Sequence, residues 1–162
     1  MALNAYLTLT GETQGEIKGS VTQAGREDSI MVIAFDYEVE SPRDAASGLP
    51  TGKRQHKGIT ITKEVDKSSP LLMNLLVNNE NITEWKLECW EPSKTGREHQ
   101  YYTIELYDAS VAKIKGEMLN NKYPENMQHK ERETITFTYR KIVWTYMEGG
   151  ITAEDDWEAP NA

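Results

Sequence analysis

Cysteine, histidine and basic charge are all scarce in this chain of 162 residues. Cys89 is the only cysteine, so no disulfide can form within one chain, and zinc sites that need several cysteines are excluded. Acidic residues outnumber basic ones by 26 to 18, which gives a net charge of −8. Because phosphate contacts need a basic surface, this balance argues against nucleic acid as a partner.

Signals for cleaved export and for membrane insertion are also missing. The first residues lack the basic and apolar regions of a signal peptide, and no apolar run approaches the ~20 residues of a transmembrane helix. We therefore expect a protein that is not inserted in a membrane and that is cytoplasmic when it is made.

Motifs for catalysis or cofactor binding are absent as well. The run from Gly48 to Lys53 is one residue short of a phosphate-binding loop, and Arg54 stands where Ser or Thr would bind magnesium. The three histidines lie in polar segments without the spacing of a metal pair, and we expect them at the surface: His56, His99 and His129. Cys89 alternates with charged residues and is expected in the core. The sequence predicts no catalytic residues, no cofactor and no metal site, and thus no enzyme.

Alternation with period two dominates the chain and is typical of β-strands. The longest predicted strand spans 133–146, and its apolar residues change from odd to even positions near Arg140, which indicates a bulge or a sharp bend. One short helix is predicted after Ser69 and Pro70, a favoured N-cap and first helical residue, and its apolar face carries four leucines: Leu71, Leu72, Leu75 and Leu76. We expect one mainly β domain over 1–162, a small antiparallel β-barrel with one flanking α-helix.

Two segments depart from this pattern and carry opposite charge. Residues 41–58 have no apolar period and are dense in Pro, Gly and Ser, which predicts a long loop. Within 41–57 four basic residues face one acidic residue, a balance of +3. The tail at 148–162 is short and acidic, with five acidic and no basic residues between 148 and 158.

Several runs of the chain, in order, are similar to the Hcp (hemolysin-coregulated protein) family, the inner-tube component of bacterial type VI secretion. The similarity extends over essentially the full length. It is carried by the opening AYLTLTGETQGEIKGS at 5–20, the loop SPRDAASGLPTGKR at 41–54, the helix entry KEVDKSSPLL at 63–72, and the runs at 119–124 and 149–157.

This resemblance implies a fold like that of a phage tail tube and a function in assembly. Family members form hexameric rings that stack into a tube, which a contractile sheath expels. The implied partners are further copies of the chain, a spike protein of the VgrG type, the sheath, and small effector proteins carried and chaperoned in the lumen. The resemblance also implies secretion to the extracellular space or a target cell without a signal peptide.

The effector-binding residues of the family lie on the inner wall of the ring, and the run at 30–39 resembles a strand that lines this wall. We expect Phe35 and Tyr37 to point to the core, because they share one face of the predicted strand. Asp36 and Glu38 lie on the other face and are the candidates for the lumen.

Stacking of identical rings needs two different surfaces that complement each other. The opposite charges of the loop and the tail suggest such a pair. The candidates are Arg43, Lys53, Arg54 and Lys57 from the loop, with Glu154, Asp155 and Asp156 from the tail.

Three other functions remain open at this point. A phage tail tube protein shares the fold. A ligand-binding barrel predicts a monomer with an apolar cavity, and an enzyme predicts a substrate-sized pocket with converging titratable groups.

Overall fold

The computed structural model describes residues 3–159, in which eleven strands, one α-helix and two single-turn 3₁₀-helices form. The strands are β1 (Asn4–Gly11), β2 (Gly15–Glu16), β3 (Ile30–Val32), β4 (Ala34–Glu40), β5 (Gln55–Glu64), β6 (Ile82–Pro92), β7 (Glu98–Tyr107), β8 (Ser110–Glu117), β9 (Arg132–Thr138), β10 (Lys141–Tyr146) and β11 (Ile151–Asp156). The helix α1 spans Ser69–Val77, and the 3₁₀ turns span Pro124–Asn126 and Glu148–Gly150.

These strands form two antiparallel sheets. The larger has the order β11-β10-β7-β6-β1-β2, with β3 also paired to β1, and the smaller has the order β4-β5-β9-β8. The sheets are connected at their margins, where Ile33 N donates to Thr62 O over 2.8 Å and a bridge joins Ile82 to Ala109. The mainly β fold predicted from the alternation is confirmed, and its strands are divided between two antiparallel sheets.

The core lies between the sheets, where alternate residues of each strand bury their side chains. Trp85 of the larger sheet contacts Phe137 of the smaller one edge to face, with ring centroids 5.4 Å apart. The helix α1 packs on β8 and buries Leu72 and Leu75, as the leucine pattern predicted. Removal of this apolar surface from water is the main term that stabilises the fold.

The start of α1 differs by one residue from the sequence prediction. Ser68, not Ser69, is the N-cap, and its hydroxyl donates to the Asp66 carboxylate. The Ser69 hydroxyl accepts a hydrogen bond from Asp66 N at 3.1 Å. A tight turn led by Asp66 therefore precedes the helix.

The two longest predicted strands are each divided between the sheets, so both predictions were wrong in extent. The run at 30–39 breaks at Ile33, where β3 leaves the larger sheet and β4 enters the smaller one. The run at 133–146 breaks after Thr138, where the chain crosses back into the larger sheet as β10. The predicted change of face near Arg140 is confirmed, and its cause is this crossing.

The predicted loop and tail are both shorter than expected. A bulge at Lys57 and Gly58 faces Glu38 of β4, and Gly58 has a φ of 81°, which suits glycine. Beyond this bulge β5 continues back to Gln55, so the loop covers 41–54 rather than 41–58. Six residues of the tail, Ile151–Asp156, form the edge strand β11, which is paired along its length with β10. Residues 160–162 lie outside the described part.

Candidate assembly surfaces

The strand β4 is the most exposed long strand of the smaller sheet. It lies at the edge of this sheet, paired with β5, and six of its seven residues are exposed. Asp36 lies opposite Thr60, and Glu38 lies at the bulge. Both candidate lumen residues are therefore solvent-exposed in a single chain.

The opposite face of β4 is covered only in part. Phe35 packs against the core as predicted, whereas Tyr37 remains 37% exposed and contacts Trp144 with ring centroids 6.0 Å apart. The expected core position of Tyr37 is thus only partly realised. Burial, aided by a hydrogen bond to Tyr37, raises the pKa of Tyr102 to about 12.

The loop at 41–54 has an ordered, hairpin-like form. Asp44 accepts hydrogen bonds from the Ser47 backbone N (2.8 Å) and hydroxyl (2.7 Å), and these bonds lower the pKa of the Asp44 carboxyl. Arg43 and Pro50 form an antiparallel bridge. The tip is therefore fixed by local hydrogen bonds, and the exposed Arg43 lies beside it.

The end of this loop is anchored by five side chains, named here the root cluster: Arg54, His56, Tyr139, Asp155 and Trp157. The His56 side chain is fully buried, with Nδ1 2.8 Å from the Tyr139 hydroxyl and Nε2 2.6 Å from Asp155 Oδ2. Trp157 stacks on the imidazole at 5.3 Å, and Arg54 Nε donates to the same Asp155 oxygen. The cluster joins the loop to β11 and to the crossing after β9.

Hydrogen bonds and burial within the root cluster shift the pKa values of Asp155 and Tyr139. The hydrogen bond from Arg54 lowers the pKa of Asp155, burial opposes this, and the contact with His56 lowers it further. Burial raises the pKa of Tyr139 to about 12, with a smaller contribution from the charge of Asp155. The Tyr139 hydroxyl therefore keeps its proton at neutral pH, and it can donate to His56 Nδ1 while Nε2–H donates to Asp155.

The prediction that His56 lies at the surface was wrong, because this residue is buried. Its position is even, whereas the buried neighbours Ile59 and Ile61 are odd. The bulge at Gly58 shifts the parity, so that His56 is buried like these isoleucines. The glycine within the strand pattern was the only signal for this bulge.

The tail residues predicted for stacking all form ion pairs within the chain. Asp155 pairs with Arg54, Asp156 with Arg140 at 2.7 Å, and Glu154 with Lys141 at 2.9 Å. The contact that we expected between loop and tail of different rings thus forms, for Arg54 and Asp155, inside one subunit. The other three basic candidates of the loop are exposed: Arg43, Lys53 and Lys57.

In residues 3–159, no group of three or more His, Cys, Asp and Glu side chains is arranged to hold a metal ion. None of the helices in this range has the length and apolar character needed to cross a membrane. Cys89 is buried, as predicted, and burial raises the pKa of its thiol to about 11.

Comparison with known proteins defines the class. A family model described as "Type VI secretion system effector, Hcp" matches residues 6–146. A crystal structure of an Hcp protein superposes with a TM-score of 0.91 and 30% identity over 98% of this chain and 99% of that one. The fold is therefore that of a type VI secretion protein.

Two relatives from Pseudomonas aeruginosa extend this result. The protein named "Major exported protein" is 42% identical over 100% of this chain and 99% of its own length. The solved secreted protein Hcp3 is 34% identical, with a TM-score of 0.80 over 98% and 100% of the two chains. The chain belongs to the Hcp family.

Proposed function

We propose that this chain is the structural subunit of a type VI secretion inner tube, which forms hexameric rings that stack, carry effector proteins and are themselves secreted. The observation that carries the proposal is the correspondence with exported Hcp proteins over the whole chain. The subunit acts by assembly, with no catalytic step of its own.

The exposed strand β4 supports assembly into a ring. An open strand edge invites pairing with other chains, and natural proteins cover such edges or blunt them with charge. In the described residues β11 presents a second sheet edge, on the larger sheet. A closed ring needs two different surfaces on each subunit, and two different edge strands meet this need.

We assign Asp36, and with it Glu38, to the lumen wall. Their carboxylates are exposed on β4 and present negative charge and hydrogen-bond acceptors to a carried effector. Asp36→Gln should reduce secretion of a cognate effector and leave the ring intact. Glu125→Gln, in the exposed 3₁₀ turn Pro124–Asn126, is the matched control. Unchanged effector secretion by Asp36→Gln would argue against the assignment.

For stacking, we assign the exposed basic residues Arg43, Lys53 and Lys57 to contacts with an acidic surface of the next ring. Exposed ion pairs are worth only ~0–1 kcal/mol each, but six copies act together in a ring. Arg54 and Asp155 hold the loop within the subunit. Glu154 and Asp156 keep their intrachain partners and add negative charge to the β11 edge.

The further partners of this function are a spike protein of the VgrG type and the contractile sheath. The protein is cytoplasmic before firing and is then ejected with the tube. Negative-stain electron microscopy of the purified chain tests the proposal. Six-fold rings with a wide central hole are expected, whereas compact monomers would favour a ligand-binding barrel.

A further inference from the structure

We infer that the root cluster is a clasp that positions the stacking loop, with His56 and Asp155 as its positioning residues. The inference rests on the proposed function, since it takes ring stacking as the role of the loop. It adds that the C-terminal strand sets the orientation of the loop from within the same subunit.

The argument begins with the two ends of the loop. The strands β4 and β5 pair Val39 with His56 and Glu40 with Gln55, so both ends leave the sheet side by side. The hydrogen bonds of the tip are local, as between Asp44 and Ser47. Such bonds fix the shape of the tip but not its direction. The direction depends on the residues at the root.

At the root, the contacts reach to the far end of the chain. His56 Nε2 lies 2.6 Å from the Asp155 carboxylate, and Arg54 Nη2 donates to the backbone oxygen of Asp156 at 2.8 Å. Arg54 thus binds both a side chain and the main chain of β11. Trp157 lies over the imidazole and covers it.

The cluster behaves as a unit because its polar groups satisfy one another around the buried side chains of His56 and Tyr139. His56 uses both ring nitrogens, and Asp155 accepts from two donors. Loss of either residue leaves a buried partner without its hydrogen bond, which costs more than the bond itself contributes. The strand β11 is paired with β10 at the edge of the larger sheet, and the contacts of Arg54 and His56 with it couple this strand to the loop.

Two variants test the clasp from opposite sides of one hydrogen bond. His56→Phe keeps a ring under Trp157 and removes both hydrogen bonds, and Asp155→Ala removes the shared acceptor. If one variant fails to fold, the other decides. His99→Phe is the matched control, because His99 is half-exposed and its Nε2 lies 3.4 Å from a Glu91 carboxylate oxygen.

The first readout is hydrogen exchange of the loop amides in the purified protein, whether or not it assembles. Both variants should accelerate exchange of the Thr51 amide, which bonds across the loop to Pro42 O at 3.0 Å, by about tenfold, with amides of β6 and β7 unchanged. A merely structural role would accelerate exchange in all strands alike. Equal loop exchange in wild type and variants would overturn the clasp.

The second readout is tube length in electron micrographs at fixed protein concentration and ionic strength. Shorter tubes built from intact rings are expected for both variants and not for His99→Phe. If hydrogen exchange shows that the loop is loosened but the tubes keep their normal length, the position of the loop does not control ring stacking. If the wild-type chain forms no rings, the proposed function fails, and hydrogen exchange alone still decides whether the clasp exists.

Discussion

Lys63 Nζ lies 2.7 Å from Glu133 Oε1, and the ammonium is fully buried between β5 and β9. The same ammonium contacts Asp66 at 3.1 Å and the Ser69 hydroxyl at 3.1 Å, so its three protons have three partners. The Ser69 hydroxyl in turn donates to Glu133 at 2.6 Å. This network ties the start of α1 to the smaller sheet, within the run that resembles the helix entry of the family.

We expect Glu133→Leu to lower the free energy of unfolding by about 3–5 kcal/mol, because it leaves a buried ammonium without its nearest carboxylate. Lys63→Met combined with Glu133→Leu should recover most of this loss. Urea unfolding followed by tryptophan fluorescence, at one fixed protein concentration, measures both.

The matched control is the exposed pair of Lys18 and Asp28, 3.7 Å apart. Lys18→Met should change the stability by less than about 1 kcal/mol. A Glu133→Leu protein as stable as wild type would show that the buried pair contributes nothing to the fold.

Gly19→Ala should destabilise the chain by about 1–3 kcal/mol through overpacking. A Cβ atom at this position would lie 2.3 Å from the Ser29 carbonyl oxygen and 2.8 Å from Ile30 Cα, both in the backbone. Gly116→Ala is the control, because its Cβ would meet nothing within 4 Å. Thermal unfolding of the two variants should separate them, and equal midpoints would contradict the close approach of these segments.

The thiol of Cys89 should resist alkylation in the folded protein. Burial raises its pKa from an ordinary 9.0 to about 11, so the reactive thiolate is rare at pH 8. Because the folded pKa is the higher one, ionisation of this thiol leaves stability unchanged below pH 9 and reduces it as the pH rises toward 11. Labelling with iodoacetamide, with and without urea, measures the protection. Equal rates in both would contradict the burial.

Much of the fold could be predicted from the sequence, because a strand that buries one face alternates apolar and polar residues. Cys89 is buried on β6 as its alternation with charged residues predicts, and Leu72 and Leu75 of α1 are buried. Alternation does not reveal which sheet a strand joins. The sequence therefore predicts continuous strands where the chain crosses between the sheets, at Ile33 and after Thr138.

The candidate surfaces were predicted less completely. The exposure of Asp36 and Glu38 follows from alternation, but the burial of His56 depends on a bulge that shifts parity by one residue. The ion pair of Arg54 with Asp155 joins residues 101 positions apart, and only the tertiary fold brings them together. Charge balance along the sequence therefore could not separate contacts within a subunit from contacts between rings.

Lys53→Glu combined with Lys57→Glu should weaken stacking and leave rings intact, since it reverses exposed charge and spares Arg54. Tubes of the wild type should shorten as salt rises, because the Debye length is ~10 Å at 0.1 M and decreases further. Lys113→Glu with Lys115→Glu, on exposed positions of β8, is the control. Sedimentation of tubes across a salt series measures the effect. Salt-insensitive tubes and a normal double variant would remove the electrostatic role of the loop.

Native mass spectrometry of the purified chain, across micromolar to millimolar protein, tests the central claim most directly. The tube proposal predicts a dominant species of six times the 18.5 kDa chain mass, together with integral multiples of that species as rings stack. A species at 18.5 kDa alone over the whole concentration range would contradict it.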